Sequence, residues 1–364
     1  MARAIMVQGT GSDVGKSILV CALCRVFRQE GLKVAPFKAQ NMSNNSYVTV
    51  DGREMGRAQV AQAEAAGIQP EAEMNPILLK PSGNNGSQII TMGRPLRHMT
   101  ANEYYKNKDS MLEIAKEAYQ SLSNEYDVIV IEGAGSPAEI NIKDNDIVNM
   151  KIAEIADAPV ILVTDIERGG SFAWIVGTLE LLDSDERDRV MGVIINKFRG
   201  DMGILESGID MLEERINKPV LGVLPYFTNI DVDDEDSMNL DKRNRASESS
   251  ESQIDIAIIR LPRISNFTDF DILIREKSLS VRFVEDARSI GNPDLIIIPG
   301  TKNTIGDLES IKESGIANAV TGLANSGTMV IGICGGYQML GKVILDPENA
   351  ESKTLETDGL GLID

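Results

Sequence analysis

A chain of 364 residues, 42% apolar and 25% charged, exceeds one ordinary domain and describes a globular protein able to bury more than one core. A net charge of −19 argues against nucleic acid and anionic membrane as partners, since either needs a basic face, and neither is expected. No apolar run approaches the roughly 20 residues of a bilayer span, no secretory pattern opens the chain, and three cysteines, an odd number, fit a reducing compartment, so the expected location is the cytoplasm.

The first element is a buried strand, Ala4–Val7, followed by Gly9-Thr10-Gly11-Ser12-Asp13-Val14-Gly15-Lys16-Ser17 and then by helical apolar spacing at Ile18, Leu19, Ala22, Leu23, Val26 and Phe27. A strand, a glycine-rich turn and a helix N-terminus together make an anion site, because backbone N–H groups converge there and the helix dipole favours negative charge. Thr10, Gly11, Ser12, Asp13, Val14 and Gly15 are therefore expected to cradle nucleotide phosphates in an exposed loop. Lys16 is expected to reach the terminal phosphates, and Ser17 to place its hydroxyl on Mg²⁺. Thr10 stands where the strict phosphate-loop formula has glycine, although Gly9 and Gly11 flank it. Cys21 and Cys24 form a C-x-x-C inside the following helix and read as small core residues rather than a redox or metal pair.

Short Val/Ile-rich segments then alternate with helical patterns: strands at Lys33–Pro36, Val128–Ile131, Val160–Val163, Val190–Ile195 and Val220–Val223, and helices at Met111–Leu122, Ile147–Ala156 and Ile204–Ile216. That alternation predicts a parallel sheet covered on both faces, with function at the carboxyl ends of its strands. Each strand end carries polar chemistry. After the second comes Lys38, then a run of amides and hydroxyls read as a loop; Gln40, Asn41, Asn44 and Ser46 in it are candidates for a carboxylate- or amide-bearing substrate. Glu132, closing Val128–Ile131, is the expected second partner of Mg²⁺. Ser136 just beyond it and Arg168 beyond Asp165 join the substrate-side set, and Asn196 is placed to read a purine edge. His98, the one histidine, sits in Gly93–His98, read as a basic loop and as an exposed or substrate-side residue rather than a catalytic one.

Clustered acids and serines over 229–253 read as a linker or exposed loop. Strand character resumes at Ile254–Ile259, Leu295–Ile298 and Met329–Ile333, so a second α/β domain is expected over 254–364, after a first over 1–228. Cys334, in Ile333-Cys334-Gly335-Gly336, falls on a sharp strand-to-helix turn, the setting of a nucleophilic thiol. The backbone around Gly300, at another strand end, is the candidate oxyanion hole.

The Gly9–Ser17 loop together with Glu132-Gly133-Ala134-Gly135 resembles the dethiobiotin synthetase group of phosphate-loop enzymes. Lys38-Ala39-Gln40-Asn41-Met42-Ser43, Gly56-Arg57-Ala58-Gln59, Asn75–Pro81 and Asp165-x-x-Arg168-Gly169-Gly170 are more closely similar to the cobyric acid synthases, over nearly the whole chain. The resemblance implies a phosphate-loop NTPase-type parallel-sheet domain followed by a partial class I glutamine amidotransferase α/β domain. It implies catalytic roles for Lys16, Lys38 and Cys334, with ATP and Mg²⁺ as cofactors. The implied reaction is amidation of the b, d, e and g carboxylates of a corrinoid, adenosylcobyrinic acid a,c-diamide, with ammonia from glutamine. Such domains deprotonate the thiol with a histidine; none follows Cys334, so the chain is expected to end inside that domain and to use free ammonia rather than glutamine. A related amidoligase acting on another polyacid and a partitioning-type ATPase switch are the alternatives, and Gly11, where the latter carries a signature lysine, argues against it. The oligomeric state stays open, self-association included.

Overall fold

The computed structural model describes residues 2–83, 86–227, 254–348 and 354–364. The expected linker, 229–253, lies outside the described residues. The chain divides into two units, one of Met1–Met42, Tyr47–Leu79 and Ile89–Asp233, the other of Ser43–Ser46, Lys80–Gln88 and Asp234–Asp364.

In the first unit the strands are β1 (Arg3–Gly9), β2 (Val34–Phe37), β3 (Gln40–Met42), β4 (Ser46–Val48), β5 (Glu54–Gly56), β6 (Ile77–Gly83), β7 (Gly86–Thr91), β8 (Arg94–Met99), β9 (Val128–Glu132), β10 (Val160–Asp165), β11 (Val190–Phe198) and β12 (Val220–Pro225), with β4, β6 and β7 running partly into residues of the second. Six of them form one parallel sheet in the order β12-β11-β10-β1-β9-β2. Its strands read as continuous apolar runs because both faces are covered. Successive side chains point to opposite faces: Met6, Phe37, Ile129, Ile131 and Leu162 join one core, Val7, Val34, Val130, Ile161 and Val163 the other. Fully burying a side chain of this size stabilises by about 1.5–3 kcal/mol, so two filled faces fix the register.

Helix α1 (Lys16–Gln29) lays Leu19, Val20 and Cys24 on the second of these cores. All six expected strands form, most of them a residue or more longer than the apolar spacing suggests. The helix expected at Ile147–Ala156 is shorter, Met150–Ile155. Asp146 explains this, since its carboxylate accepts from the N–H groups of Val148 and Asn149 at 2.8 Å each and holds them in a turn. A second sheet, β3-β6-β7-β8, was not anticipated. It corrects two readings: the run after Lys38 is partly a strand, and His98 lies on exposed β8 rather than in a loop.

The second unit is built on β13 (Ile254–Ile259), β14 (Leu279–Val284), β15 (Leu295–Ile298) and β16 (Met329–Gly332), parallel, in the order β14-β13-β15-β16. An antiparallel pair, β17 (Val343–Leu345) and β18 (Glu356–Asp358), follows. Its own core gathers Ile256, Ile258, Phe283, Ile298, Leu308 and Val320. No helix among the described residues is long and apolar enough to cross a membrane.

Candidate functional site

The central strand of the large sheet, β1, runs into the loop at Thr10, whose N–H donates to the Val163 carbonyl at 2.9 Å. Asp13 and Gly15 take positive φ, 59° and 102°, which folds the loop back over the start of α1. A methyl on Gly15 would stand 2.1 Å from the Asn196 amide nitrogen. That amide donates to the Val14 carbonyl at 2.8 Å, and Asn196 is 8% exposed. Asn196 thus braces the loop, a function the purine-edge expectation did not include. Thr10 bonds Thr164 through its hydroxyl at 3.1 Å, while Ser12 and Asp13 face solvent.

Lys16 departs from expectation: it is 7% exposed rather than lying in an open cradle. Its ammonium donates to the carbonyls of Gly11 at 2.8 Å and Gly135 at 3.2 Å, which fold over it from both sides.

Glu132, 1% exposed at the end of β9, collects the other charged groups. Its Oε1 accepts from Ser17 Oγ at 2.8 Å and from Lys38 Nζ at 3.1 Å, and its Oε2 accepts from Gln62 Nε2. Burial pushes the carboxyl up, but the Lys38 ammonium, the Gln62 amide, Lys16 and the Ser17 hydroxyl outweigh it and hold Glu132 below the usual carboxylate range. The loop beyond is clamped by Asn149, which accepts from the Ala134 N–H at 3.1 Å and donates to the Ala134 carbonyl at 2.8 Å. Ser136 is 9% exposed and accepts from the Ala138 N–H at 3.2 Å.

Of the substrate-side set, the structure brings only some residues to this centre. Asn41 is 3% exposed and its amide donates to Gln59 Oε1 at 3.0 Å, so it is turned inward and ties β3 to helix α2 (Arg57–Ala66). Gln40 accepts from the Tyr104 hydroxyl. Arg168 pairs with Asp13 at 3.3 Å and Asp165 at 3.4 Å, which sets it beside the phosphate loop. Asn44 and Ser46 belong to the second unit: the Asn44 amide donates to the Pro81 carbonyl at 3.3 Å, Ser46 N–H donates to Asn266 Oδ1 at 3.0 Å and the Ser46 hydroxyl accepts from Lys80 at 3.0 Å.

Two further groups belong to this site. Gln62, on α2, carries no signal in the linear pattern, and only its burial gives it away. Lys197, at φ 62°, reaches Asp165 at 2.8 Å and the Asp13 carbonyl at 2.5 Å.

In the second unit Cys334 sits at φ 50° and ψ −112°, exposed, between β16 and helix Gly335–Leu340. The turn admits no side chain at its neighbours: a methyl on Gly336 would lie 2.1 Å from the Ile298 carbonyl oxygen, and one on Gly332 2.6 Å from that of Gly336. Gly300 adjoins the cysteine, since a methyl built on it would stand 3.7 Å from Cys334 Cβ. Asp307, 0% exposed, fixes the next residues of that loop, taking hydrogen bonds from Arg263 Nη1 at 2.7 Å, from the Arg263 N–H at 3.0 Å and from the Thr301 hydroxyl. Burial raises its carboxyl above the ordinary range, and these bonds only partly offset that.

The three cysteines separate sharply. Burial pushes the Cys21 thiol up to about 12 and Cys24 higher still, whereas Cys334 is exposed. That burial holds the Cys21 and Cys24 thiols in their protonated, unreactive form at pH 8. Iodoacetamide is therefore expected to modify Cys334 in the folded protein, and Cys21 and Cys24 only after unfolding. Peptide mass spectrometry showing all three alkylated at similar rates would displace the core assignment of the pair.

A phosphate loop at the centre of a parallel sheet and a cysteine elbow on a second one define a nucleotide-binding protein joined in one chain to a glutamine amidotransferase. Residues 5–240 match the CobQ/CobB/MinD/ParA nucleotide binding domain, and residues 255–364 the CobB/CobQ-like glutamine amidotransferase domain. The chain is 56% identical over 364 residues to a cobyric acid synthase of Listeria monocytogenes serotype 4b, spanning 100% of this chain and 71% of that one. Cobyric acid synthases of Pelotomaculum thermopropionicum and Dehalococcoides mccartyi are each 55% identical, with 100% of this chain covered and 69% and 72% of theirs. The chain belongs to the cobyric acid synthase family.

Proposed function

We propose that the chain is an ATP-dependent carbon–nitrogen ligase that amidates the b, d, e and g side-chain carboxylates of adenosylcobyrinic acid a,c-diamide, with nitrogen from glutamine or ammonia. The observation that carries this is the convergence of Lys16, Ser17, Lys38 and Glu132 at the carboxyl ends of β1, β2 and β9. Residues 1–228 are assigned the phosphorylation chemistry and 254–364 the supply of ammonia.

The phosphates of ATP lie on the N–H groups of Gly11–Ser17, since that of Thr10 is held by the Val163 carbonyl. Lys16, moving from the Gly11 and Gly135 carbonyls, and Lys38, moving from Glu132, balance charge at the transferred phosphoryl group. A substrate carboxylate oxygen attacks the terminal phosphorus and ADP leaves with the bond electrons, giving an acyl phosphate. Ammonia then attacks the acyl carbon and phosphate departs, so that one carboxylate becomes one carboxamide. For glutamine-derived nitrogen, the Cys334 thiol gives up its proton and Sγ attacks the side-chain amide carbon, with the oxyanion on the backbone at Gly300. The adduct expels ammonia to leave a glutamyl thioester, which water hydrolyses to glutamate and the free thiol. No histidine follows Cys334 to relay these protons, so free ammonia is the expected nitrogen source for the 364-residue chain.

Mg²⁺ fits the residues present. Ser17 Oγ and Glu132 Oε1 are hard oxygen donors 2.8 Å apart, and a single carboxylate suits an ion that keeps most of its waters. When bound it would neutralise phosphate charge. Glu132→Gln keeps the shape and removes the charge, so the Mg²⁺ needed for half-maximal turnover is expected to rise about 10-fold or more. An unchanged requirement would move the metal role to Asp165.

The test of the whole reading supplies ATP and ammonium with adenosylcobyrinic acid a,c-diamide, or with cobyrinic acid, and follows phosphate release and carboxamide formation by mass spectrometry. Stoichiometric ATP cleavage and amidation of the a,c-diamide alone is the expected result. ATP cleavage indifferent to either corrinoid would overturn it.

A further inference from the structure

Among the buried amides of the first unit, Gln62 is the one whose side chain donates to Glu132 in the described residues. It is 0% exposed in helix α2, 70 residues from Glu132, yet its Nε2 donates to Glu132 Oε2. Its own Oε1 is buried and has no hydrogen-bond partner among the described residues. Orientation of the amide is not arbitrary: an ionised carboxylate only accepts, so the NH₂ group must face it and the oxygen must face away. The residues around Gln62 are Ala58, Ala63 and Ala66, small and buried, which let α2 approach α1 and β2 closely.

Two consequences follow for the carboxylate. Gln62 occupies Oε2, so the oxygen shared by Ser17 and Lys38 is Oε1. A plain helix-to-strand tie would need only the donor. The second polar atom, Gln62 Oε1, is left buried without a partner among the described residues, which is costly unless a donor such as a water molecule arrives during the working cycle.

We propose that Gln62 is a positioning residue for the metal site, holding Glu132 Oε2 so that Oε1 stays turned to Ser17, and accepting through its own Oε1 a hydrogen bond from water bound to Mg²⁺. This rests on the magnesium reading above. Partners of this outer kind, when removed, cost 10- to 100-fold in metal affinity. Gln62 then acts on the metal site through Glu132 and not on the phosphate loop, with which its side chain shares no hydrogen bond among the described residues.

The test measures Mn²⁺ binding by electron paramagnetic resonance, in the presence of a non-hydrolysable ATP analogue, for the 364-residue chain and its variants. Analogue binding is measured separately in EDTA. Gln62→Met keeps the bulk and removes both polar atoms; Gln62→Ala admits water and covers the case in which methionine is not accommodated. Gln59→Met is the control, because Gln59 is equally buried but bonds Asn41 rather than Glu132. The expected result is Mn²⁺ affinity about 10-fold weaker in both Gln62 variants, with analogue affinity in EDTA unchanged and Gln59→Met like wild type. Glu132→Gln runs in parallel. If it weakens Mn²⁺ binding while both folded Gln62 variants do not, the positioning role is refuted and the magnesium reading stands. If Glu132→Gln also leaves Mn²⁺ binding untouched, the magnesium reading falls and takes this inference with it. Equal losses in Gln59→Met and Gln62→Met would reduce Gln62 to packing.

Discussion

Lys16→Ala is expected to lose ATP turnover by about 3 kcal/mol or more in activation free energy, roughly a factor of 10² to 10³. The magnitude follows from preorganisation. The ammonium is already desolvated, 7% exposed, and held beside the loop by two carbonyls at 2.8 and 3.2 Å. A mobile surface lysine would lose much of its effect to water; this one would not. The fold should survive, because Gly11 and Gly135, whose carbonyls are freed, are only half-buried and lie in loops rather than in a core. Corrinoid-stimulated phosphate release, with circular dichroism as the control for folding, is the measurement. Normal turnover by a well-folded variant would remove the phosphate-loop assignment.

Gly336→Ala should disrupt the second unit as severely. The added methyl would lie 2.1 Å from the Ile298 carbonyl oxygen and 2.6 Å from that of Pro299, both backbone atoms with no side-chain freedom to yield. Either β15 shifts against β16 or the Cys334 turn opens, and a loss of about 3 kcal/mol or more is expected. The Ile298 carbonyl is also the acceptor for the Ile333 N–H at 2.9 Å, so relief in one place breaks a bond in the other. Hydrogen exchange should quicken at Ile256, Ile297 and Ile331 while Ile5, Val130 and Leu162 keep their protection. Unchanged protection in the second sheet would show the turn to be softer than its geometry states.

Much of this was readable beforehand, for identifiable reasons. Buried parallel strands are short runs of Val and Ile bounded by polar residues, so β9, β10 and β15 announced themselves, and Lys16, Ser17 and Glu132 followed from standing at strand ends. What failed to show was polar burial. Asn41 looks like a surface amide and is 3% exposed; Asp307 looks like an acid favouring a helix dipole and is 0% exposed. Nothing in a linear pattern separates a solvated amide from one that faces a carboxylate across the fold, which is why Gln62 went unnoticed. The small sheet β3-β6-β7-β8 was hidden by the same means, since Gln40, Asn41 and the basic run at Arg94–His98 mask strand alternation.

The second unit is not one uninterrupted length of polypeptide. Thr268 donates to Asn45 at 3.0 Å and Asn303 to the Ser82 carbonyl at 3.2 Å, so Ser43–Ser46 and the adjoining parts of β6 and β7, from the first hundred residues, are among its building blocks. Gene fission at the acidic stretch would therefore not yield a self-sufficient glutaminase. The downstream piece would be born lacking the mates of Asn266, Thr268 and Asn303. For such a fold, heredity has to pass on both halves as one reading frame, or else supply the short inserts a second time.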